Sequence, residues 1–223
     1  IVLFVSSIWI YGKKLKKFSP SLNFIDFKRS NELFKLGVKF FIIQLSAILL
    51  YQTNNIIISQ LFGPDMVTPY NISYKYFGLL FMTFSILITP FWSAFTDSWA
   101  KGDLMWIKNM MIILLKSFII FIMVGFVMLL ISNFIYEIWI GGGIYISFNL
   151  SLLTLVWVLL NIWNGIFGQF LNGVGKIKIQ LIVAILAAIT NIPLSIMLGK
   201  LFNIPGILSA NIIVSFFGAC ILP

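Results

Sequence analysis

The chain has 223 residues, 61% of them hydrophobic and only 9% charged, with a mean hydropathy of +1.06; soluble domains carry about a quarter charged residues. Its formal charge of +9 comes from 15 Lys and Arg against 6 Asp and Glu, and histidine is absent, which removes the commonest general base and transition-metal ligand. The carboxylates Asp26, Glu32, Asp65, Asp97, Asp103 and Glu137 fall in or near expected loops with no spacing for joint acid–base work, so no catalytic residue, metal site or cofactor is expected.

Apolar runs of about twenty residues recur along the chain, the length needed to cross a bilayer as a helix. The expected fold is therefore an all-α, polytopic transmembrane helix bundle. Residues 1–11 read as the end of a membrane helix, and the sequence as a piece of a longer reading frame. Residues 12–32 read as a basic loop carrying Lys13, Lys14, Lys16, Lys17, Lys28 and Arg29, with Pro20 breaking any continuous helix. Residues 33–223 then supply about six complete spans. The first covers 33–61, capped by Ser30 or Asn31, and turns at Phe62-Gly63-Pro64-Asp65. The second covers 67–99 with a kink near Pro90. The third, 106–131, is almost wholly apolar, and Glu137 with Gly141-Gly142-Gly143 marks the next turn. The others cover 146–171, 179–198 and 205–222.

The lysines orient these spans. Lys35, Lys39, Lys101, Lys108, Lys176 and Lys178 share a side with the basic loop, whereas Lys200, Asp65 and Glu137 lie opposite. Basic residues concentrate in cytoplasmic loops, so both ends of the sequence are expected toward the cytoplasm of a multi-pass protein. The same lysines account for the basic charge through anionic lipid. With Arg29 the only arginine, no nucleic-acid partner is expected. Cys220, the sole cysteine, excludes an intramolecular disulfide and reads as a packing residue.

Polar side chains inside the spans carry the functional signal. In the first span Gln44, Tyr51 and Asn55 share a narrow helical face. In the second Asn71, Tyr74, Lys75, Gly78, Ser85 and Thr89 form a stripe. The fourth carries Thr154, Asn161, Asn164, Gly165, Gly168, Gln169 and Asn172, mostly three or four apart. Such residues also glue helices together in lipid, the reading preferred for Ala184, Ala188, Asn191 and Ser195 on the fifth span. Three aligned polar faces in one bundle point to a wet central cavity. Lys75 is the sharpest signal, about ten residues inside its span, where a lysine costs about 3 kcal/mol on insertion scales unless it meets water or a partner. It either snorkels to headgroups or stands unpaired in a cavity suited to phosphate or pyrophosphate. Lys116, on an apolar surface, reads as snorkelling.

Several patterns resemble one family. They are Leu36-Gly37-Val38-Lys39-Phe40-Phe41-Ile42-Ile43-Gln44, Gln52-Thr53-Asn54-Asn55, Pro90-Phe91-Trp92-Ser93-Ala94-Phe95-Thr96-Asp97, Phe170-Leu171-Asn172-Gly173-Val174-Gly175-Lys176, and Asn191-Ile192-Pro193-Leu194-Ser195 followed by Pro205-Gly206-Ile207. In order and spacing, from about residue 30 to the end, they are similar to the polysaccharide biosynthesis proteins that act as lipid-linked oligosaccharide flippases, within the multidrug/oligosaccharidyl-lipid/polysaccharide exporter superfamily. The resemblance implies about twelve helices in two six-helix lobes around a central cavity, with residues 33–223 as the C-terminal lobe and 12–32 as the interlobe loop. It implies transfer of an undecaprenyl-pyrophosphate-linked sugar unit across a bacterial inner membrane, for O-antigen, capsule or exopolysaccharide. The implied partners are that lipid-linked oligosaccharide, membrane lipids and polysaccharide polymerase machinery. On this reading Gln44, Asn55, Asn71, Asn161 and Asn164 meet sugar hydroxyls, Lys75 meets the phosphates, and Tyr51, Tyr74 and Trp157 stack on sugar rings. Pro90 and the glycines of the fourth span are candidate flexing points. The membrane-embedded acid common in ion-coupled members of the superfamily is not evident. A drug or lipid exporter, a membrane enzyme of polysaccharide assembly and a structural scaffold are the rival functions.

Overall fold

A computed structural model describes residues 5–6, 9–14, 27–141 and 143–222, and among these there is no strand. The expected membrane-helix end at residues 1–11 lies partly outside the described residues. Lys16, Lys17, Pro20 and Asp26 of the basic loop, and Gly142, lie wholly outside them.

The chain divides into two units, residues 1–40 and 41–223. The first contains a π-helical turn, Ile10–Lys14, and the beginning of α1 (Phe27–Phe62). Helix α1 therefore starts ahead of the expected cap at Ser30 or Asn31, and both lie inside it. No Pro or Gly stands between Pro20 and Gly37, and Lys28, Arg29, Glu32 and Leu33 are strong enough formers to carry the helix through two weak ones.

In the second unit the rest of α1 is followed by a single 3-10 turn, Pro64–Met66, then α2 (Val67–Ile88), α3 (Phe91–Lys101), α4 (Leu104–Ile140), α5 (Phe148–Gly173) and α6 (Ile177–Ile221). Among the described residues five helical segments are long and apolar enough to cross a membrane: 30–62, 64–101, 104–140, 148–173 and 177–221. The protein is a multi-pass, all-α membrane protein. The break between α2 and α3 falls at Thr89-Pro90, where proline has no N–H to continue the ladder. Gly102, in the left-handed region at φ 72°, ends α3. Asp103 then caps α4, its carboxylate accepting from Trp106 N–H at 2.9 Å.

Helix α4 is longer than the apolar run alone implies. Its 37 residues continue past Ile131 to Ile140, about 55 Å at 1.5 Å per residue. The Ser132 hydroxyl is satisfied by donating to the Leu129 carbonyl at 2.8 Å, and Asn133 and Glu137 are exposed. Nothing stops the helix before Gly141, at φ 76°.

Helix α6 is two spans. At 45 residues it would be about 68 Å long if straight, more than twice the hydrocarbon core, but Asn203 interrupts it at φ 57°, ψ −150°. A methyl group on Gly206 would run into the Leu198 carbonyl oxygen, and one on Gly218 would sit 3.4 Å from Val183 Cγ1. Residues 35 apart in sequence meet only if the chain reverses. Residues 177–202 and 204–221 therefore form an antiparallel hairpin, the fifth and sixth crossings.

Helix α5 lies at the centre, packed against α2, α3, α4 and the hairpin, and is the most buried of the spans. Part of its polar stripe is glue. Ser73 Oγ donates to Thr154 Oγ1 at 3.0 Å, and Thr154 Oγ1 donates to the Leu150 carbonyl at 2.7 Å. Gly165 and Gly173 give close approach: a Cβ on either would press into Phe84 or Phe95. On the hairpin Asn191, Ser195 and Asn211 are fully buried, and among the described residues their side-chain N and O atoms have no hydrogen-bond partner. Cys220 is exposed rather than packed, beside the exposed Phe216, Phe217 and Ile221. An apolar neighbourhood in a membrane helix faces lipid as readily as protein.

Candidate functional site

The second unit holds two cavities that meet at one hydrogen bond. The first, about 450 Å³, is lined by Tyr51 of α1, Tyr74, Lys75, Gly78 and Met82 of α2, Trp139 of α4 and Asn161 of α5. The second, about 270 Å³, lies between α1, α5 and both arms of the hairpin. Its lining includes Tyr51, Asn161, Asn164, Gln169, Asn172, Gln180, Ala184 and Ser215.

They occupy opposite halves of the bundle. Lys75 lies two turns from the start of α2 and Trp139 in the last turn of α4, so the first cavity belongs to the half with the 62–67 and 140–148 turns. Asn172 ends α5 and Gln180 begins α6, so the second belongs to the half with the 173–177 turn. Between them Tyr51 Oη donates to Asn161 Oδ1 at 3.1 Å, and Asn161 Nδ2 donates to the Trp157 carbonyl at 2.9 Å.

Aromatic packing fixes this partition. The Tyr51 and Tyr74 rings lie 5.3 and 5.6 Å from Trp157, and Tyr70 stacks on Tyr74 at 6.2 Å. Trp157 is only 2% exposed. In this arrangement the three rings expected to meet sugar are turned toward one another. Tyr51 and Tyr74 still border the first cavity, so either presents an edge there while Trp157 stays covered.

Lys75 is exposed on the rim of the first cavity, one residue along α2 from Tyr74. Among the described residues no carboxylate lies within ion-pairing distance of it; the ion pair that does form is the surface pair Lys101–Asp97 at 2.6 Å. Its remaining surroundings are mostly apolar: Gly78, Leu79, Met82 and Trp139. A cation beside the Tyr74 hydroxyl, in walls of low polarity, can hold an anion, whereas the Tyr51 hydroxyl is already donated to Asn161.

The structure thus brings Tyr51, Tyr74, Lys75 and Asn161 together at one cavity, and Tyr51, Asn161 and Asn164 at the other. Asn164 Nδ2 donates to the Ser215 carbonyl at 3.0 Å, pinning α5 to the second arm of the hairpin. Gln44, Asn55 and Asn71 stand apart from both linings. Gln44 is exposed, because the cavity-facing side of α1 is Ile43, Ala47, Leu50 and Tyr51. Asn55 and Asn71 are half-buried. Gln180, Trp139 and Ser215 are lining residues that the polar stripes do not include. Gln180 follows Lys176 and Lys178 so closely that it reads as part of a loop-proximal helix end.

Among curated proteins the chain is 28% identical over 166 residues to a protein of Yersinia pseudotuberculosis named for O-antigen export, covering 70% of this chain and 36% of that protein. It is 25% identical over 185 residues to a protein of Salmonella typhi named as an O-antigen transporter, covering 80% of this chain and 40% of the relative. The two relatives support a polysaccharide-export family. The match spans only about two fifths of each relative's length. No family model matches the chain, and no solved structure matches it.

Proposed function

We propose that this chain forms one six-span lobe, preceded by an interlobe loop, of a two-lobe flippase that carries an undecaprenyl-pyrophosphate-linked oligosaccharide across the bacterial inner membrane. The product would feed O-antigen, capsule or exopolysaccharide. The observation that carries this reading is Lys75: a lysine well inside a membrane span, bordering a cavity with Tyr51, Tyr74 and Asn161 and free of any described acid within ion-pairing distance. The cation answers the pyrophosphate, hydroxyls and amides answer the sugar, and the prenyl tail stays in the bilayer. The names of the two relatives favour a sugar-bearing cargo. The reading makes the protein a transporter and not an enzyme, with its basic loop and both sequence ends on the cytoplasmic side. Lobe rocking would alternate access to the site, and the Thr89-Pro90 break is a natural flexing point.

The test is complementation. The full-length gene is expressed in a strain that synthesises the cognate sugar unit but lacks its own flippase, and surface polysaccharide is measured beside susceptibility to cationic drugs. Restored surface polysaccharide with unchanged susceptibility is expected. Drug resistance without restored polysaccharide would move the assignment to a drug exporter.

A further inference from the structure

We infer that the second cavity is a binding chamber of its own, built for a neutral polyhydroxyl group of the pyranose class. This rests on the export reading and assigns the sugar end of the cargo to a place separate from Lys75.

Besides Asn161, four carboxamides line this cavity: Asn164, Gln169 and Asn172 from α5 and Gln180 from the first arm of the hairpin. The side-chain carbonyl oxygen of each is buried without a hydrogen-bond partner among the described residues. A buried acceptor left unmatched is costly, more so in a membrane interior. Lack of a partner alone does not mark a site, since Asn191, Ser195 and Asn211 of the hairpin also lack one among the described residues; these four carboxamides differ in lining one cavity. Four unmatched acceptors around one polar space are met by water or by a ligand that replaces it, and they mark a site for a partner from outside the chain. Small walls keep the space open: Gly168, where an added Cβ would already touch Gln180 Nε2 at 3.6 Å, and Ala184.

Charge decides which partner fits. Among the described residues no Lys or Arg lines the chamber, and a phosphate, which brings acceptors and no donors, has nothing to offer orphaned oxygens. Among the described residues no Asp or Glu lines it either; neutral carbonyl oxygens can ligate a bare cation, but only by closing round it at about 2.3–2.6 Å, and a chamber of about 270 Å³ is far roomier than that. A sugar hydroxyl both donates and accepts, as a carboxamide does. A neutral polyol therefore satisfies the chamber without burying a charge. The Tyr51–Asn161 hydrogen bond closes the end toward Lys75, keeping the sugar compartment distinct from the anion compartment.

The test uses the full-length protein in lipid nanodiscs, with its native cysteines replaced, Cys220→Ser included. Ala184→Cys reports on the carboxamide chamber and Met82→Cys on the Lys75 cavity, each through its rate of maleimide labelling. The probes are methyl glycosides of glucose, galactose, mannose and N-acetylglucosamine, and inorganic pyrophosphate. At least one glycoside is expected to slow labelling in Ala184→Cys by about fivefold or more once its concentration reaches about four times its Kd, since protection follows 1 + [L]/Kd, and pyrophosphate is expected to leave it unchanged. Pyrophosphate should protect Met82→Cys. Adding Gln169→Leu and Gln180→Leu should abolish glycoside protection, and Gln169→Asn should retain part of it. If pyrophosphate protects Met82→Cys but no glycoside protects Ala184→Cys, the sugar chamber is overturned and the export reading stands. If glycoside and pyrophosphate each protect both positions, the site is undivided and the partition is overturned. If neither protects either position, the chamber and the export reading fall together.

Discussion

Replacing Lys75 with Gln in the full-length protein is expected to lower export of the lipid-linked oligosaccharide by about tenfold or more, with insertion and yield unchanged. Lys75 borders a largely apolar cavity with no described carboxylate at ion-pairing range, so the substitution removes charge without orphaning a partner. Hydrogen bonds to charged groups are worth about 1.5–3 kcal/mol, which corresponds to roughly one to two decades in rate or affinity. Glutamine keeps polarity and approximate length, so a deficit reads out charge. Lys75→Arg should retain most of the export, because guanidinium also binds phosphate and is always charged. The measurement is the amount of pyrophosphate-linked oligosaccharide reaching the outer leaflet, normalised to inserted protein. Full export by the Gln variant would reduce Lys75 to a snorkelling residue.

The largest structural effect is expected at Gly206. The hairpin turns so tightly that a Cβ there would collide with the backbone at Leu198, which cannot move aside as a side-chain tip can. Gly206→Ala should cost about 1–3 kcal/mol as an overpacked contact, and Gly206→Val more. The measurement is the midpoint of thermal unfolding in detergent, together with the folded fraction on size exclusion. Gly78 is the control: a Cβ there meets nothing within 4 Å, so Gly78→Ala should shift the midpoint little and upward if at all, because alanine is the better helix former. A Gly206→Val protein as stable as wild type would contradict the hairpin.

The contrast between these glycines shows what the sequence discloses. Apolar runs announce the membrane segments because run length against bilayer thickness decides the matter, and Pro90 marks the break between α2 and α3 by backbone chemistry, whereas the break in α6 falls at Asn203, two residues ahead of Pro205. Where helices end is less legible. The membrane limits the apolar run but not the helix, so α4 continues through Asn133 and Glu137 to Gly141, and α1 begins ahead of its apparent cap. Within the site, helical phase groups the polar residues of α5 well, and Asn161, Asn164, Gln169 and Asn172 all reach the second cavity. It fails on α1, where Gln44 and Asn55 share a projected face with Tyr51 but neither cavity includes them. A helical wheel gives angles and not neighbours. Which side of α1 meets α5 and the hairpin is set by packing across the bundle, and that packing also recruits Gln180.

The most direct test of the account is reconstitution of purified full-length protein into liposomes carrying an undecaprenyl-pyrophosphate-linked oligosaccharide in one leaflet. Its appearance in the other leaflet is followed by an added lectin or glycosidase that cannot cross the membrane. Protein-dependent transfer is expected, weak with Lys75→Gln and largely retained with Lys75→Arg. Transfer no faster than in protein-free liposomes, from protein shown to be folded and inserted, would contradict it.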